Sequence, residues 1–399
     1  MPTHDHDRFP LGAAVTLAEL DQDPHAVHAR LRETEPVSWL PCLDGWLITR
    51  HDLALEAMRD AATYTVDDPR FSTAQVIGPS MLSLDGADHA AHRAPFVSPF
   101  RAAAVVGRFE LATAERATEL VDRLSPVGAG ELRRGFAGPM SAAIVARALG
   151  LGDEEVEAVL GWYDAIVASV TSITAGEGAT ADGIDAYAAL RERLELVIAN
   201  GDPGADGGRS LLAAAAHQGD ALTHDQIASN AAVLLFGGIE TTEGMIANAV
   251  LELLRRPELL ARVTDSDPAL LDAVIDESLR LEPAAAVIDR YATADANFGG
   301  AAIARGELVR ISMTAANRDP ALFERPDEFD PGRPNLRRHL AFAQGPHVCV
   351  GVHLARLEAR ASLRALLTLP GLRADPQRPA EVRGLVFRKP VSLHARWDA

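Results

Sequence analysis

Apolar residues recur at helical spacing over most of this chain, in stretches around 104–125, 138–149, 153–171, 184–200, 223–255 and 267–281. Ala, Leu, Arg and Glu dominate and β-branched runs are scarce, so intrinsic preference agrees with the spacing. A mainly α fold follows. The exceptions are a hairpin over Val37–Arg50, joined through Leu43-Asp44-Gly45, and short strands between 284 and 315. A last helix runs from about Val352 to Leu367, and the tail 385–395 reads as strand. The segments 174–184 and 201–209 are Gly/Ala/Asp-rich loops. No repeat or charged linker divides the 399 residues, and 48% hydrophobic content can bury a large core. The expectation is a single domain over 1–399, β-rich at about 35–50, 284–315 and 380–397 and helical elsewhere.

Charge excludes one class of partner. With 56 acidic against 38 basic residues the formal charge is −18, and no basic run offers phosphates a surface, so nucleic acid is not expected. Two cysteines, Cys42 and Cys349, make no disulfide framework and suit a reducing compartment. The polar start MPTHDHDRFP lacks a signal-peptide pattern, and no run of about 18 apolar residues occurs. A cytoplasmic protein with no membrane span is expected.

The chemistry concentrates in Phe342-Ala-Gln-Gly345-Pro-His347-Val-Cys349-Val-Gly351, directly before a helix. A helix N-terminus favours a thiolate, and flanking glycines let a flat partner approach the backbone, which suits a soft ligand for iron. Taken alone, the loop leaves other readings open: a small buried hydrophobe, half of a zinc site with His347, or a cysteine nucleophile beside His347. Gly237-Gly238 lies inside the longest helix, where each glycine costs roughly 1 kcal/mol relative to Ala and so needs a reason. Glu240-Thr241 follows, an acid beside an alcohol that can relay protons. Glu277 and Arg280 stand one turn apart, alone no more than a surface ion pair, and His89 and Arg93 share a helix face.

Taken together, these segments resemble the cytochrome P-450 family, from about residue 35 to the C-terminus and in the family's order. The cysteine loop matches Phe-Gly-x-Gly-x-His-x-Cys-x-Gly at every fixed position except Ala343, which stands where the family has Gly. The resemblance implies the P-450 fold, a large helical domain with a small β-rich region and haem between the central long helix and the cysteine-loop helix. It makes Cys349 the axial ligand of haem b, framed by Phe342 and Gly351, with Gly238 on the central helix. His89, Arg93, Arg290 and His347 would hold the propionates, and Glu240 and Thr241 would deliver protons. Glu277, Arg280 and Arg333 would form a structural triad.

The implied activity is a monooxygenase using O2 and NAD(P)H electrons, delivered by a ferredoxin or flavodoxin with its reductase. It would hydroxylate or epoxidise a mostly apolar small molecule, in the manner of secondary metabolism. Arg337, Arg338, His353, Arg356 and Arg360 would form the basic docking patch. The family's pocket positions carry Val76, Ile77, Val170, Val233, Val287, Ile288, Val386 and Phe387, with Arg388 nearby. Two further readings are oxidative C–C or C–N coupling of aromatic substrates at the same haem, and a non-catalytic haem-thiolate sensor.

Overall fold

The structure, a computed structural model, describes residues 8–174, 177–200, 211–212, 222–264 and 267–399. Residues 1–7 of the polar start, 175–176 of the first expected loop and the whole of the second, 201–209, lie outside the described residues. The chain forms two compact units, each assembled from separated segments.

The first unit comprises segments up to Val66, Ala247–Cys349 and Pro376–Leu393. Its centre is a five-stranded sheet in the order Val37–Leu40, Gly45–Ile48, Leu308–Ser312, Val287–Ala292, Tyr64–Thr65. The first two strands are the expected hairpin, with Trp39 opposite Trp46 and their rings packed edge-on at 5.5 Å. Asp44 makes the turn in the left-handed region (φ 46°), which an Asp tolerates. Leu308–Ser312 pairs parallel to the hairpin and antiparallel to Val287–Ala292. Both strands send apolar residues into a core with Trp39, Trp46, Ile48, Tyr64 and Met313. The helix Pro268–Leu281 starts with Asp267 as N-cap and Pro268 in the first turn, so its end fixes Glu277 and Arg280.

The sequence stretch 385–395 is not one strand. Lys389–Pro390 pairs with Val382–Arg383 in the first unit, whereas His394–Arg396 joins Ala129–Glu131 and Arg373–Ala374 in the second. Gly384 (φ 119°) turns the chain, and buried Arg388 holds that turn. Its guanidinium donates to Glu282 Oε1 at 2.8 Å, to the carbonyls of Asp21 and Gly384 at 2.8 and 3.1 Å, and on to Leu20, Gln22 and Val382. Burial alone would push Glu282 up, but hydrogen bonding to His25 and the charges of Arg388 and Arg318 hold it down at about 2. Arg388 is thus a structural clamp. The short helices Leu17–Gln22 and His25–Thr34 precede the hairpin; the first is opened by a Thr16–Glu19 capping box.

The second unit comprises Asp67–Ile246, Val350–Asp375 and His394–Ala399. It contains the helices Ala102–Leu124, Gly138–Leu149, Val156–Thr174, Ala181–Asn200 and Val352–Leu366 and most of the central helix His224–Leu254, whose last turns from Ala247 belong to the first unit. Val352–Leu366 packs along Ala102–Leu124, and Val156–Thr174 along Ala181–Asn200. Among the described residues one helix, Asp153–Thr174, is long and apolar enough to cross a membrane; its Val156, Val159, Tyr163, Ile166 and Val170 are buried within this unit. A wide, π-helical turn, Arg133–Ala137, leads into Gly138–Leu149.

Candidate haem-thiolate site

In the first unit the cysteine loop hangs from a chain of hydrogen bonds that begins at buried charge. Glu277 and Arg280 are fully buried, with Arg280 donating to both Glu277 oxygens at 2.7 and 2.8 Å. Arg333 Nε donates to Glu277 Oε1 at 2.9 Å, and the Asp330 N–H meets the same oxygen at 2.8 Å. The remaining guanidinium donors bind carbonyls, Arg280 those of Asn317, Pro326 and Glu328, and Arg333 those of Glu324, Arg325 and Glu328. A buried triad keeps its charges only when every donor and lone pair is used in this way. From Asn317 the path continues: its Oδ1 accepts from Leu340 N at 2.7 Å, Leu340 O from Ala343 N at 2.8 Å, and Phe342 O from Cys349 N at 2.9 Å.

That last bond closes the loop and leaves the Cys349 thiol exposed ahead of the helix Val352–Leu366, which has Gly351 as its N-cap. Gly345 (φ 74°) is obligatory, since a Cβ there would sit 2.5 Å from Met58 O. Ala343 keeps a left-handed φ of 56° despite its methyl group, a conformation that costs an L-residue about 1 kcal/mol. His347 is half-buried in the loop, and Arg290 is buried in the strand Val287–Ala292, donating to Asp289 O at 2.7 Å. Val287 is buried and Ile288 packs on the sheet core. Half-buried Val386 and Phe387 border residues 285–286, with Val386 O accepting from Ala286 N at 2.8 Å.

In the second unit the two central-helix glycines differ. At Gly238 a Cβ would meet Val145 Cγ2 at 2.9 Å, so this glycine lets the helix pack on Gly138–Leu149. At Gly237 no atom among the described residues lies within 4 Å of that position, so the open face belongs to Gly237. Thr241 Oγ1 donates back to Gly237 O at 2.6 Å. Glu240 is 3% exposed and accepts from the Tyr163 hydroxyl. His89 is buried and Arg93 half-buried on the helix Gly86–Val97. His92 instead faces Asn230, with Nδ1 2.9 Å from its Nδ2, while Asn230 Oδ1 takes the Met81 N–H at 2.8 Å. Val76, Ile77, Val170 and Val233 are buried in this unit. Among the described residues no group of three or more His, Cys, Asp or Glu side chains is arranged to hold a metal ion.

The cysteine loop suits a haem, with an accessible thiol directly ahead of a helix. Comparison with known proteins decides the family. The family model described as cytochrome P450 matches residues 197–378. The cytochrome P450 107B1 of Saccharopolyspora erythraea is 35% identical over 377 residues, covering 88% of this chain and 89% of its own. The chain belongs to the cytochrome P450 family. The nocardicin C N-oxygenase of Nocardia uniformis subsp. tsuyamanensis is 33% identical over the full length of both chains. The crystal structure of CalO2 superposes with a TM-score of 0.85 at 27% identity, over 96% of this P450 and 99% of its own chain. This P450 is therefore a haem-dependent oxidoreductase, a monooxygenase that uses O2 to oxidise small molecules and draws electrons from a redox partner.

Sequence reasoning passed over Tyr163, Arg133, Arg134 and Glu243. Glu243 is fully buried, and Arg133 Nε donates to its Oε1 at 3.0 Å. Its place one turn beyond Glu240 was the available signal. Nothing local pointed to Tyr163.

Proposed function

We propose that Cys349 is the axial ligand of haem b in a monooxygenase of secondary metabolism whose substrate is a mostly apolar small molecule. The observation that carries this reading is the loop closed by Cys349 N–Phe342 O, which presents the thiol at the start of a 15-residue helix. When bound, the haem supplies O2 activation, with thiolate donation favouring O–O cleavage. The chain's own residues do the rest. Arg290 and His347, and likewise His89 and Arg93, would hold the propionate carboxylates by charge-assisted hydrogen bonds. Phe342 and Gly351 would frame the cofactor's loop, and Gly237 would leave it room on the central helix, while Gly238 lets that helix pack on Val145.

Glu240 takes up and releases the protons that O2 reduction consumes, and the Thr241 hydroxyl presents them. Releasing its bond to Gly237 O frees Thr241 Oγ1 to donate elsewhere. Val76, Ile77, Val170, Val233, Val287, Ile288, Val386 and Phe387 supply the apolar lining of the substrate pocket. The nocardicin C relative supports a substrate of natural-product class. The enzyme works as one cytoplasmic P450 domain over 1–399. Electrons pass from NAD(P)H through a ferredoxin or flavodoxin and its reductase, docking at Arg337, Arg338, His353, Arg356 and Arg360. Charge reversal at Arg338 and Arg356 should slow reduction by the partner; an unchanged rate rejects the patch.

The reduced, carbon-monoxide-bound absorption spectrum tests the ligand. A strongly red-shifted Soret band is expected in the wild type and should disappear in Cys349→Ser. Retention of the band in that variant rejects Cys349 as the ligand.

A further inference from the structure

Two buried carboxylates stand one turn apart on the central helix, Glu240 at 3% and Glu243 at 0% exposure, and at that spacing like charges repel. Each is held by a different chemistry. Glu243 meets guanidinium: Arg133 Nε lies 3.0 Å and Arg134 Nε 3.7 Å from its Oε1. Glu240 meets a phenol, the hydroxyl of Tyr163, which is 1% exposed on the helix Val156–Thr174. The next residue, Asp164, turns outward and takes Arg134 Nη2 at 2.9 Å, both side chains being about half exposed. Burial opposes the charge on Arg134, yet Glu243, Asp164 and Glu240 together hold its pKa above the ordinary value, so Glu240 lies within that guanidinium's field.

We propose that Tyr163 is the positioning residue for Glu240, fixing the carboxylate from which protons reach Thr241. The proposal rests on the proton-delivery role given to Glu240 above. A guanidinium ion pair would orient the carboxylate equally well but would favour its charged form throughout. A phenol donates one hydrogen bond without adding a charge, and so fixes the direction of the Glu240 carboxylate. Arg133 and Arg134 offset the charge of Glu243 and so reduce the repulsion between the two acids. Tyr163 acts through Glu240, to which its hydroxyl donates.

The test uses the haem-loaded enzyme, with Tyr163→Phe removing only the hydroxyl. The carbon-monoxide spectrum should stay at its wild-type position. Product formed per NAD(P)H should fall about 3- to 10-fold, equivalent to about 0.6–1.4 kcal/mol, and the solvent deuterium isotope effect on turnover should change. A second measurement is independent of turnover: melting of the resting enzyme in a cycle of Y163F, E240L and the double variant. Y163F should lower the melting temperature by about 2–4 °C in the wild-type background and hardly at all in the E240L background. Additive melting shifts with wild-type coupling in Y163F, while E240Q uncouples, would overturn the role of Tyr163 and leave that of Glu240 standing. Wild-type coupling in E240Q would overturn the Glu240 reading, and this proposal with it.

Discussion

Glu277 and Glu240 are both glutamates buried on long helices, and they are held in opposite ways. Glu277 is gripped by two arginines and a backbone N–H, with the remaining donors of Arg280 and three of Arg333 tied to carbonyls. Glu240 takes the hydroxyl of Tyr163 and stands beside Thr241, whose own bond is a single reversible one to Gly237 O. The first arrangement is built from guanidinium and backbone donors; the second includes two hydroxyl groups. On the proposed reading, the donor that meets each buried acid separates a scaffold from a proton-delivery site.

The comparison can be broken most severely at Glu277. Glu277→Ala strands two buried guanidinium groups, and a loss of about 3–5 kcal/mol in denaturation is expected, with weakened haem retention. A loss below 1 kcal/mol would mean that the triad is no scaffold. Thr241→Ala should do the converse: unfolding within about 1 kcal/mol of wild type but NAD(P)H consumption uncoupled from product, with a loss near 10²-fold in productive rate. Unchanged coupling would remove Thr241 from proton delivery.

A third buried acid sharpens the contrast, because it has neither kind of partner. Glu358, on the helix Val352–Leu366, is 3% exposed with Oε2 unbonded, and burial pushes its pKa well above the ordinary 4.5. A folded pKa above the unfolded one means that its contribution is complete below about pH 4.5 and is lost as pH rises toward the folded value. Glu358→Gln should therefore raise the melting temperature at pH 7–8 and leave it nearly unchanged at pH 4; equal shifts at both pH values would refute a neutral acid. The smallest expected effect is at the loop itself. Ala343→Gly should relieve the left-handed backbone, for a gain of about 1 kcal/mol or less in unfolding free energy.

What the sequence disclosed follows from distance along the chain. The Val37–Arg50 hairpin, the cysteine loop and the Glu277–Arg280 pair are local patterns, and each is present with its expected neighbours. Tyr163 and Glu240 are 77 positions apart, and Arg133 and Glu243 are 110 apart, so no periodicity joins them. The 385–395 tail misleads because apolar character gives no sign that Arg388 folds it back onto Asp21. The two glycines look equivalent in sequence, and only the packing of Val145 tells Gly238 from Gly237. Thr16-Leu-Ala-Glu19 was a legible helix start, masked by the shortness of the helix it begins.

The Arg388 clamp also has a meaning for biosynthesis. The carbonyl of Asp21 leaves the ribosome 367 residues before the guanidinium that will bind it. At about 5–20 residues per second, the early helices wait roughly 20–70 s for that partner. The first unit also needs Pro376–Leu393, and the second needs His394–Ala399, so neither is complete until those late segments have been made. Nascent chains of this enzyme therefore carry both units unfinished until those segments emerge, a long interval in which chaperones and proteases compete for them.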